Sequence, residues 1–425
     1  MGSLQVEKIN KLSGEVEIPS DKSISHRAVM FSSIAKGISV ISNFSKGADC
    51  LSTLEVFKSL GVNAEFRDNK TLVINSSGNL SAPEKELYCG NSGTTMRLTS
   101  GILAGQKFDS ILTGDESLSK RPMKRIIKPL ELMGAKIISD GRAPLKIMRS
   151  QLKGIDYKSE LASAQVKSCV LLAGLYAEGK TIFTEPYLSR NHTELMLKYL
   201  GANILTERNK VTIEKSQLKA RDMNIPGDIS SAAFFIAAGL IVPDSEIILK
   251  NVGLNPTRTG IIDVVRKMGG NIEILDKKNI SGEESGDIKV KYSSLKSCVI
   301  EGDIIPRLID ELPVIAVLAT QAEGETVVKN AQDLRNKESD RIKAIVSELK
   351  KTGANIEETS DGFIVKGKTE LRGGVGVETY HDHRLAMSLY IAGLICKSPI
   401  LINGFEWANI SFPEFEKLIN ELKIN

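Results

Sequence analysis

A short pattern recurs five times along this chain: an apolar helical stretch, then glycine, then a few residues of alternating apolar and polar character. Glycine at the end of a helical pattern supplies the left-handed residue that closes a helix, and alternation after it is typical of a strand. The glycines lie roughly 67 to 84 residues apart, which suits a repeated α/β unit better than a solenoid. One copy would be expected in any α/β protein, but five predict an internally duplicated fold. The copies are residues 60–64, 133–137, 200–204, 268–272 and 352–356.

The length of 425 residues exceeds what one ordinary core accommodates and predicts two or three domains. Residues 224–228 combine turn formers and are a candidate boundary. The polar stretch 277–287 predicts a loop between two strands of a hairpin. The longest apolar run, residues 232–242, stops at Pro243 and is too short to span a bilayer, so it predicts a buried helix and no membrane partner.

The charge and cysteine patterns exclude several classes of protein. A net charge of +4, without a long block of Lys and Arg, argues against a nucleic-acid partner, so any anion site must be local. The five cysteines form no C-x-x-C pair, which argues against disulfides and structural zinc. They predict a reduced, cytoplasmic protein, and residues 1–14 lack the apolar core of a signal peptide. We expect no metal and no cofactor.

Residues 19–27 (PSDKSISHR) end a strand-like run and open an apolar helical pattern. Lys22 and Arg27 lie where the helix dipole is already positive, so cations there are unfavourable unless something anionic binds. Ser23 and Arg27 are four residues apart and share a helix face. Free backbone N–H groups, hydroxyls and cations together predict a phosphate or carboxylate site. The alternative is a basic helix start on a solvated surface.

Other helix-opening segments carry the same kind of residues. They are 90–97 (GNSGTTMR), 114–125 (GDESLSKRPMKR), 335–341 (RNKESDR) and 381–384 (HDHR). Residues 163–165 and 189–192 are polar segments that also suit ordinary N-caps. Residues 307–313 place Asp310 and Glu311 at the entrance of an apolar run, and Glu338 lies among cations, so the C-terminal half offers groups for proton transfer. His26, His192 and His381 are not spaced as metal ligands and are expected to be structural.

These peptides, in this order, closely resemble the 5-enolpyruvylshikimate-3-phosphate synthases, a family of enolpyruvyl transferases. The resemblance covers both halves of the chain. Its Ser163-Ala164-Gln165 and Ser189-to-Glu194 forms look more like the second sequence class of the family than the first. The matching stretches are residues 19–27, 90–97, 120–123, 163–165, 189–194, 226–233, 306–313, 337–341 and 382–384.

The resemblance implies transfer of the enolpyruvyl group of phosphoenolpyruvate to the 5-hydroxyl of shikimate 3-phosphate. This is a step of the shikimate pathway, toward chorismate and the aromatic amino acids. The implied fold is α/β, with two domains of three repeated βαβαββ units each and a hinged cleft between them. The domains would be 21–226, mainly for shikimate 3-phosphate, and 1–20 plus 227–425, mainly for phosphoenolpyruvate. No partner chain is implied, so a monomer is expected.

The resemblance also implies a role for each matching residue. Asp310 would take the proton of the 5-hydroxyl, and Glu338 would protonate the methylene carbon. The implied catalytic residues are Lys22, Asp310, Lys337, Glu338 and His383. Shikimate 3-phosphate would contact Lys22, Ser23, Arg27, Ser163, Ala164, Gln165, Arg190, Asp310 and Lys337, with Ser163 and Arg190 near its phosphate. Phosphoenolpyruvate would contact Lys22, Asn91, Gly93, Thr94, Arg121, Gln165, Arg341 and Arg384.

One position departs from the family pattern. Ile410 stands where the first class has a phosphoenolpyruvate-binding Lys and the second commonly has Thr, so that contact is absent or comes from elsewhere, for example Lys107 or Lys124. Gly93 keeps one side of the implied donor pocket small, which predicts sensitivity to glyphosate-like analogues.

Two rival interpretations remain at this point. A UDP-N-acetylglucosamine enolpyruvyl transferase shares fold and donor, but its loop usually carries a reactive cysteine, which residues 114–125 lack, and Lys22 here is followed by Ser rather than Asn. A non-catalytic anion-binding protein would not need Asp310 and Glu338.

Overall fold

The computed structural model describes residues 2–424, so Met1 and Asn425, at the ends of the predicted domain 1–20 plus 227–425, lie outside the described residues. The chain forms two compact units. The inserted unit comprises Ser20–Pro226 and Asn279–Glu283, and the flanking unit comprises the chain up to Pro19, Gly227–Lys278 and the chain from Glu284 onward. No helix within residues 2–424 is long and apolar enough to cross a membrane.

Most strands are short. In chain order they are β1 Ser3–Val6, β2 Lys11–Glu17, β3 Ala35–Ser42, β4 Asn63–Phe66, β5 Leu72–Ser77, β6 Leu87–Tyr88, β7 Ser110–Thr113, β8 Lys136–Ile138, β9 Leu145–Met148, β10 Asp156–Lys158, β11 Thr181–Thr184, β12 Ile204–Glu207, β13 Lys210–Ile213, β14 Leu218–Lys219, β15 Met223–Asn224, β16 Glu246–Gly253, β17 Asn271–Ile280, β18 Glu283–Lys291, β19 Val299–Ile300, β20 Gly324–Val328, β21 Ile356–Glu358, β22 Phe363–Gly367, β23 Gly376–Glu378, β24 Ile400–Asn403 and β25 Lys423–Ile424.

The α-helices alternate with these strands. They are α1 Lys22–Ile34, α2 Ala48–Ser59, α3 Gly93–Ala104, α4 Glu116–Lys120, α5 Lys124–Leu132, α6 Ala164–Gly174, α7 His192–Tyr199, α8 Ile229–Ile241, α9 Gly260–Lys267, α10 Leu312–Gln321, α11 Arg341–Lys351, α12 His383–Gly393 and α13 Phe415–Leu422. Short 3₁₀ helices span Gly302–Arg307, Ile309–Glu311, Gln332–Asn336 and Phe405–Ile410.

The inserted unit contains three sheets of one design. In the sheet β6-β7-β9-β8, the first two strands are parallel, and β9 runs antiparallel to both of its neighbours. The sheet β10-β11-β13-β12 repeats these directions. In the third sheet, β14 and β15 from the end of the unit lie parallel to β3, followed by β5 and β4. The predicted βαβαββ unit is therefore present three times here.

The flanking unit repeats the design, with one variation. The sheets β2-β16-β18-β17 and β19-β20-β22-β21 follow it, and β25 adds to the free edge of β2. In the last sheet, β23 and β24 are parallel, but the antiparallel neighbour of β24 is β1, from the other end of the chain. Since α13 leads directly into β25, the sixth unit lacks the helix-glycine-strand junction. This explains why the sequence pattern occurs five times and not six.

The five glycines have the conformation that the pattern predicts. Their φ angles are positive, namely 86° at Gly61, 97° at Gly134, 90° at Gly201, 77° at Gly269 and 100° at Gly353. Other residues adopt this left-handed conformation at a cost, because a Cβ crowds the backbone. Each glycine therefore turns the chain from the end of a helix into the next strand.

Two separate apolar cores explain the two units. In each unit, the first helix of every repeat lies inside the core: α1, α3 and α6 in one, and α8, α10 and α12 in the other. Helices α3 and α6 pack so closely that a Cβ on Gly101 would lie 2.2 Å from the carbonyl oxygen of Cys169. These helices are buried along their length, and the predicted site residues on α1, α3, α6 and α12 lie in the N-terminal half of each helix.

The hairpin between β17 and β18 corrects one expectation. The predicted loop at 277–287 is wrong, because β17 continues to Ile280 and β18 begins at Glu283, leaving a two-residue turn. This turn belongs to the inserted unit: Ser281 Oγ accepts a hydrogen bond from the Asn224 N–H, and Glu283 Oε1 lies 2.7 Å from His192 Nδ1. The boundary of the units at the start of the chain lies between Pro19 and Ser20.

Candidate substrate-binding and acid–base sites

In the inserted unit, side chains connect the N-terminal ends of the three core helices. Gln165, on the first turn of α6, donates from Nε2 to Thr94 Oγ1 on α3 at 3.0 Å, and its Oε1 accepts from Arg97 Nη1 at 2.6 Å. Arg27 of α1 donates from Nη2 to Ser168 Oγ on α6 at 2.9 Å. The residues predicted from three distant stretches of sequence therefore belong to one hydrogen-bonded layer.

Lys22 is the first residue of α1, whose N-cap Asp21 accepts from the Ile24 N–H at 2.8 Å. The ammonium of Lys22 lies 3.0 Å from Oδ2 of Asp49, a residue at the start of α2. Burial of Asp49 opposes its charge, but Lys22 and His26 outweigh it, so the pKa of this carboxyl is below its usual value. Sequence reasoning missed Asp49, because no local pattern indicates a partner 27 residues from Lys22.

Ser23 and Arg27 lie on one face of α1, as predicted, and Arg27 Nη1 donates to the Ser23 carbonyl oxygen at 2.9 Å. Arg27 is only 3% exposed, and its Nε donates to Thr193 Oγ1 at 2.8 Å. Burial lowers the pKa of Arg27 to about 10, against the opposing effect of Glu194, so the guanidinium is still charged at neutral pH. The predicted acceptor-binding arginine is thus a rigid cation.

Gly93 begins α3 beside two guanidinium groups. A Cβ at this position would lie 3.0 Å from Arg97 Nη1 and 3.6 Å from Arg121 Nη1. Arg121 in turn donates from Nη2 to Asn91 Oδ1 at 2.6 Å, and Asn91 donates to Asp115 Oδ2. The missing side chain leaves space next to two cations, which suits a small anion. Arg97 was not among the predicted site residues, although it lies within the GNSGTTMR segment.

The remaining predicted residues of this unit lie at helix starts. Ser163 is the N-cap of α6, with its hydroxyl 3.5 Å from the Val166 N–H, and Ala164 is the first helical residue. Arg190 is partly exposed and lies just before α7. His26 is structural, as predicted: its Nδ1 lies 2.6 Å from Thr53 Oγ1, and burial lowers its pKa to about 3.

In the flanking unit, one buried arginine collects three carboxylates. Arg341, the first residue of α11, is 1% exposed and binds Asp382 through Nε at 2.8 Å and Nη2 at 3.2 Å. Its Nη2 also donates to Glu338 Oε2 at 2.7 Å, and its Nη1 to Asp310 Oδ1 at 3.2 Å. Lys337 Nζ lies 3.5 Å from the same Asp310 oxygen. Both predicted proton-transfer residues therefore touch one guanidinium.

The charges in this cluster shift one another. Burial disfavours the charge of Arg341, but Asp382, Glu338 and Asp310 outweigh it and raise its pKa above the ordinary arginine value. For Glu338, whose side chain is 35% exposed, burial raises the pKa, while Arg341, His383 and Lys337 together lower it far more. The pKa of Asp382 is lowered as well, by Arg341 above all against the effect of burial. Glu338 is therefore ionised in this state.

Arg384 and His383 open α12, after the N-cap Asp382, which accepts from the Arg384 N–H at 2.8 Å. Arg384 Nη1 donates to the carbonyl oxygen of Ser230 at 3.0 Å. The hydroxyl of the same Ser230 contacts Glu311 and accepts from Arg258 Nη2 at 2.7 Å. Glu311 directly follows Asp310 in the chain, so these contacts help to fix the position of the Asp310 backbone.

The predicted substitutes for a cation at position 410, Lys107 and Lys124, lie in the inserted unit, and their role stays a prediction. Ile410 lies at the end of a 3₁₀ helix and is 41% exposed, and its aliphatic side chain carries no charge. Lys107 follows the C-terminal end of α3, about 18 Å along the helix from Gly93 at 1.5 Å per residue. Lys124 packs its side chain over Gly141, where a Cβ would lie 2.6 Å from its Cε. Within the inserted unit, Arg97 is the cation that accompanies Arg121 at Gly93.

The described residues provide neither a metal-ion cluster nor a reactive thiol. Within residues 2–424, no group of three or more His, Cys, Asp or Glu side chains is arranged to hold a metal ion. All five cysteines are free and buried, and burial raises the pKa of the Cys50 and Cys89 thiols to about 12. These thiols are therefore protonated and do not act as nucleophiles at neutral pH.

Comparison with known proteins gives a consistent set of likenesses. The sequence profile of the family described as EPSP synthase (3-phosphoshikimate 1-carboxyvinyltransferase) matches residues 6–419. The curated 3-phosphoshikimate 1-carboxyvinyltransferase of Bacillus licheniformis is 53% identical over 423 residues, which cover 98% of each chain. The enzyme of the same name from Bacillus subtilis is also 53% identical, over 424 residues and 98% of each chain.

Solved structures show the same likeness in three dimensions. An EPSP synthase from Acinetobacter baumannii has a TM-score of 0.92 at 44% identity, covering 100% of this chain and 98% of that one. The enolpyruvyl transferase NikO from Streptomyces tendae has a TM-score of 0.81 at 17% identity, covering 99% and 97% of the two chains, and this shows likeness of fold alone.

Proposed function

Because this chain belongs to the EPSP synthase (3-phosphoshikimate 1-carboxyvinyltransferase) family, we propose that it transfers the enolpyruvyl group of phosphoenolpyruvate to the 5-hydroxyl of shikimate 3-phosphate. The products are 5-enolpyruvylshikimate 3-phosphate and phosphate. The reaction is a step of the shikimate pathway, which leads through chorismate to the aromatic amino acids. The predicted two-domain enolpyruvyl transferase fold is confirmed by the same comparisons.

For the acceptor, we assign the predicted residues of the inserted unit, namely Lys22, Ser23, Arg27, Ser163, Ala164, Gln165 and Arg190. The predicted acceptor residues of the flanking unit are Asp310 and Lys337. What supports the assignment is that Arg27, Ser168 and Gln165 connect the helix starts on which most of the assigned residues lie. Backbone N–H groups at the starts of α1 and α6 add hydrogen-bond donors for a phosphate or hydroxyl oxygen.

Within the flanking unit, the resemblance implies Arg341 and Arg384 as donor contacts. Within the inserted unit, we assign Lys22, Asn91, Gly93, Thr94, Arg121 and Gln165 to the donor. Arg97 joins this set, because its guanidinium borders the same space at Gly93 as that of Arg121. Two anionic substrates repel each other, so several cations are needed to bring a hydroxyl into reach of the enol carbon.

The observation that carries the proposal is the binding of Asp310 and Glu338 to the single guanidinium of Arg341. A binding protein needs cations for its ligands, but it has no use for two carboxylates beside them. Addition of the 5-hydroxyl to the enol requires one group to accept a proton and another to deliver one to the methylene carbon. Asp310 takes the first role, with Lys337 beside it, and Glu338 takes the second.

The lowered pKa of Glu338 gives this assignment a condition. An ionised Glu338 has no proton to give, so its pKa must rise before the methylene carbon is protonated. A donor anion bound to Arg341 supplies that rise, because its negative charge offsets the cations that now hold Glu338 ionised. In the second half of the reaction, loss of the proton from the same carbon expels phosphate, and Glu338 takes the proton back.

The acceptor of the reaction is tested by phosphate release from phosphoenolpyruvate. We expect steady turnover with shikimate 3-phosphate and none above background with UDP-N-acetylglucosamine. Inorganic phosphate is measured at equal concentrations of the two acceptors, and a sample without acceptor serves as the control for hydrolysis. Turnover with UDP-N-acetylglucosamine alone would identify the sister activity, and turnover with neither acceptor would leave only a binding protein.

The donor pocket is tested by Gly93→Ala. The new methyl group would lie 3.0 Å from Arg97 Nη1 and occupy space assigned to the donor. We expect the KM for phosphoenolpyruvate to rise about tenfold, equivalent to roughly 1.4 kcal/mol of binding free energy. Inhibition by glyphosate, which we expect for the wild type, should weaken in parallel, while the KM for shikimate 3-phosphate stays within about twofold.

Gly376→Ala is the matched control for that variant. A Cβ on Gly376 would have no atom nearer than 3.8 Å, so the substitution adds a methyl group without narrowing a pocket. An unchanged KM for phosphoenolpyruvate in Gly93→Ala would remove Gly93 from the donor site.

As the setting of the reaction, we propose a monomer in the cytoplasm. Five free, buried thiols support a reducing compartment, since disulfides form readily outside it. Each unit has its own complete core, so neither needs a second chain to cover an apolar face.

A further inference from the structure

A lysine with no solvent exposure lies inside the inserted unit, and the proposed reaction does not use it. Lys167, on the second turn of α6, has a side chain that is 0% exposed. Its ammonium is 2.7 Å from Glu185 Oε1, 2.8 Å from Glu194 Oε1 and 3.2 Å from the carbonyl oxygen of Ser189. The ammonium donates hydrogen bonds to Glu185 Oε1 and to the Ser189 carbonyl oxygen, and its contact with Glu194 is an ion pair. Burying a charged side chain costs free energy unless the charge is paired and hydrogen-bonded.

The acceptors of Lys167 lie on the segment that leads to Arg190. The Ser189 N–H donates to Glu185 Oε1 at 2.9 Å, so the backbone of Ser189 is held on both sides, by Glu185 and by Lys167. Glu185 is itself tied through its backbone N–H to the Asn209 carbonyl oxygen at 3.0 Å. The ion-pair partner Glu194 lies on the first turn of α7.

The middle of this segment is exposed to solvent. Between β11 and α7 the chain has no regular structure, and Tyr187 and Leu188 are exposed. Its conformation therefore depends on the polar contacts at its two ends. Because Lys167 extends from α6, it connects the position of Ser189 to that of the helix whose first residues are Ser163, Ala164 and Gln165.

We infer that Lys167 is a positioning residue for the acceptor phosphate: by holding the Ser189 backbone, it sets Arg190 at a fixed distance from the N-terminal end of α6. The inference rests on the proposed function, in which Ser163 and Arg190 take that phosphate. Lys167 touches no substrate. It acts through Arg190. Its ion-pair partner Glu194 directly follows Thr193, whose hydroxyl accepts a hydrogen bond from Arg27 Nε.

The variant Lys167→Met keeps the length of the side chain and removes its donors. We expect the dissociation constant for shikimate 3-phosphate, measured by calorimetry without donor, to rise by about 10- to 100-fold, the range that misplacement of a binding group produces. The KM for this substrate should rise equally, while the KM for phosphoenolpyruvate stays within about twofold.

Lys167→Met also removes the cation that pairs with two buried carboxylates, so it lowers stability by itself. The triple variant Lys167→Met/Glu185→Gln/Glu194→Gln removes those charges and should recover much of the thermal stability, but it still lacks the donor to Ser189. We expect binding of shikimate 3-phosphate to stay weak in the triple variant. If the single variant does not fold, the triple variant decides the question alone.

Cys169→Ala is the matched control. Cys169 is a buried residue of the same helix that faces Gly101 of α3, so its truncation loosens the core and should leave both KM values unchanged. Recovery of tight binding together with stability in the triple variant would overturn the inference, as would an equal rise of both KM values. Failure of the wild type to bind shikimate 3-phosphate would instead overturn the proposed function.

Discussion

Asp310→Asn should lower the maximal rate of phosphate release by about a thousandfold, within the range usual for loss of a general base. The amide oxygen can still accept the hydrogen bond that Arg341 Nη1 now donates at 3.2 Å, so the local structure should persist. An amide cannot take the proton of the 5-hydroxyl, and the loss should therefore fall on kcat. We expect both KM values to change by less than about threefold, since the cations that bind the substrates remain.

Asp303→Asn provides the comparison for this result. Asp303 is an exposed carboxylate of the neighbouring 3₁₀ helix Gly302–Arg307, and its replacement should leave kcat unchanged. A kcat within tenfold of the wild-type value in Asp310→Asn would show that another group accepts the proton.

Arg341→Met should abolish turnover and destabilise the flanking unit. The guanidinium is buried and neutralises Asp382, Glu338 and Asp310, so its removal leaves three carboxylates close together. Breaking a buried ion pair from one side costs about 3 to 5 kcal/mol at neutral pH. For a unit of this size, such a loss lowers the midpoint of thermal unfolding by roughly 10 °C.

The destabilisation should depend on pH in a defined direction. The pKa values of Glu338 and Asp382 are lower in the folded protein than in the unfolded chain. Their ionisation therefore stabilises the wild type above the unfolded pKa of about 4, and this contribution is lost as the pH falls through the folded values. In Arg341→Met the contribution is missing throughout, so the difference between the two proteins should persist from neutral pH to about pH 4 and shrink as the pH falls below about 4. Thermal unfolding at neutral pH, at about pH 4 and at about pH 3 measures it.

Arg335→Met is the control for burial. Arg335 also pairs with two carboxylates, Asp340 at 2.9 Å and Glu358 at 2.8 Å, but its side chain is 26% exposed. Solvent-accessible pairs contribute about 0 to 1 kcal/mol, so this variant should lose little stability and keep its activity. Equal losses of thermal stability in the two variants would mean that burial of the Arg341 cluster does not account for its contribution to stability.

Much of the fold was predictable because it is repeated. The helix-glycine-strand pattern marks five of the six βαβαββ units, and the glycine conformations agree with it. The sixth unit was not recognisable, because its antiparallel strand β1 comes from the other end of the chain. No local sequence pattern indicates that a strand pairs with one from the other end of the chain.

The site was predictable residue by residue, but its connections were not. The side chains of Asp21, Ser92 and Asp382 cap helices by accepting from N–H groups two or three residues further along the chain. The starts of α1, α3 and α12 could therefore be predicted from the local sequence. Asp49 and Arg97 were missed as neighbours of Lys22 and Gly93. Lys167 had one visible signal, a lone charge within an apolar helical run, although its acceptors were not foreseeable.

The sequence by itself determined the repeated unit, the places where helices begin and the kinds of charge at those places. The reason is that glycine conformation, helix capping and apolar periodicity act over a few residues of chain. Only the tertiary structure decided which charges are buried and which partners they have. Arg341 pairs with the carboxylates of Asp382 and Asp310, and Arg27 donates hydrogen bonds to Ser168 and Thr193. Coulomb energies and desolvation depend on distance and burial in three dimensions, and chain order specifies neither.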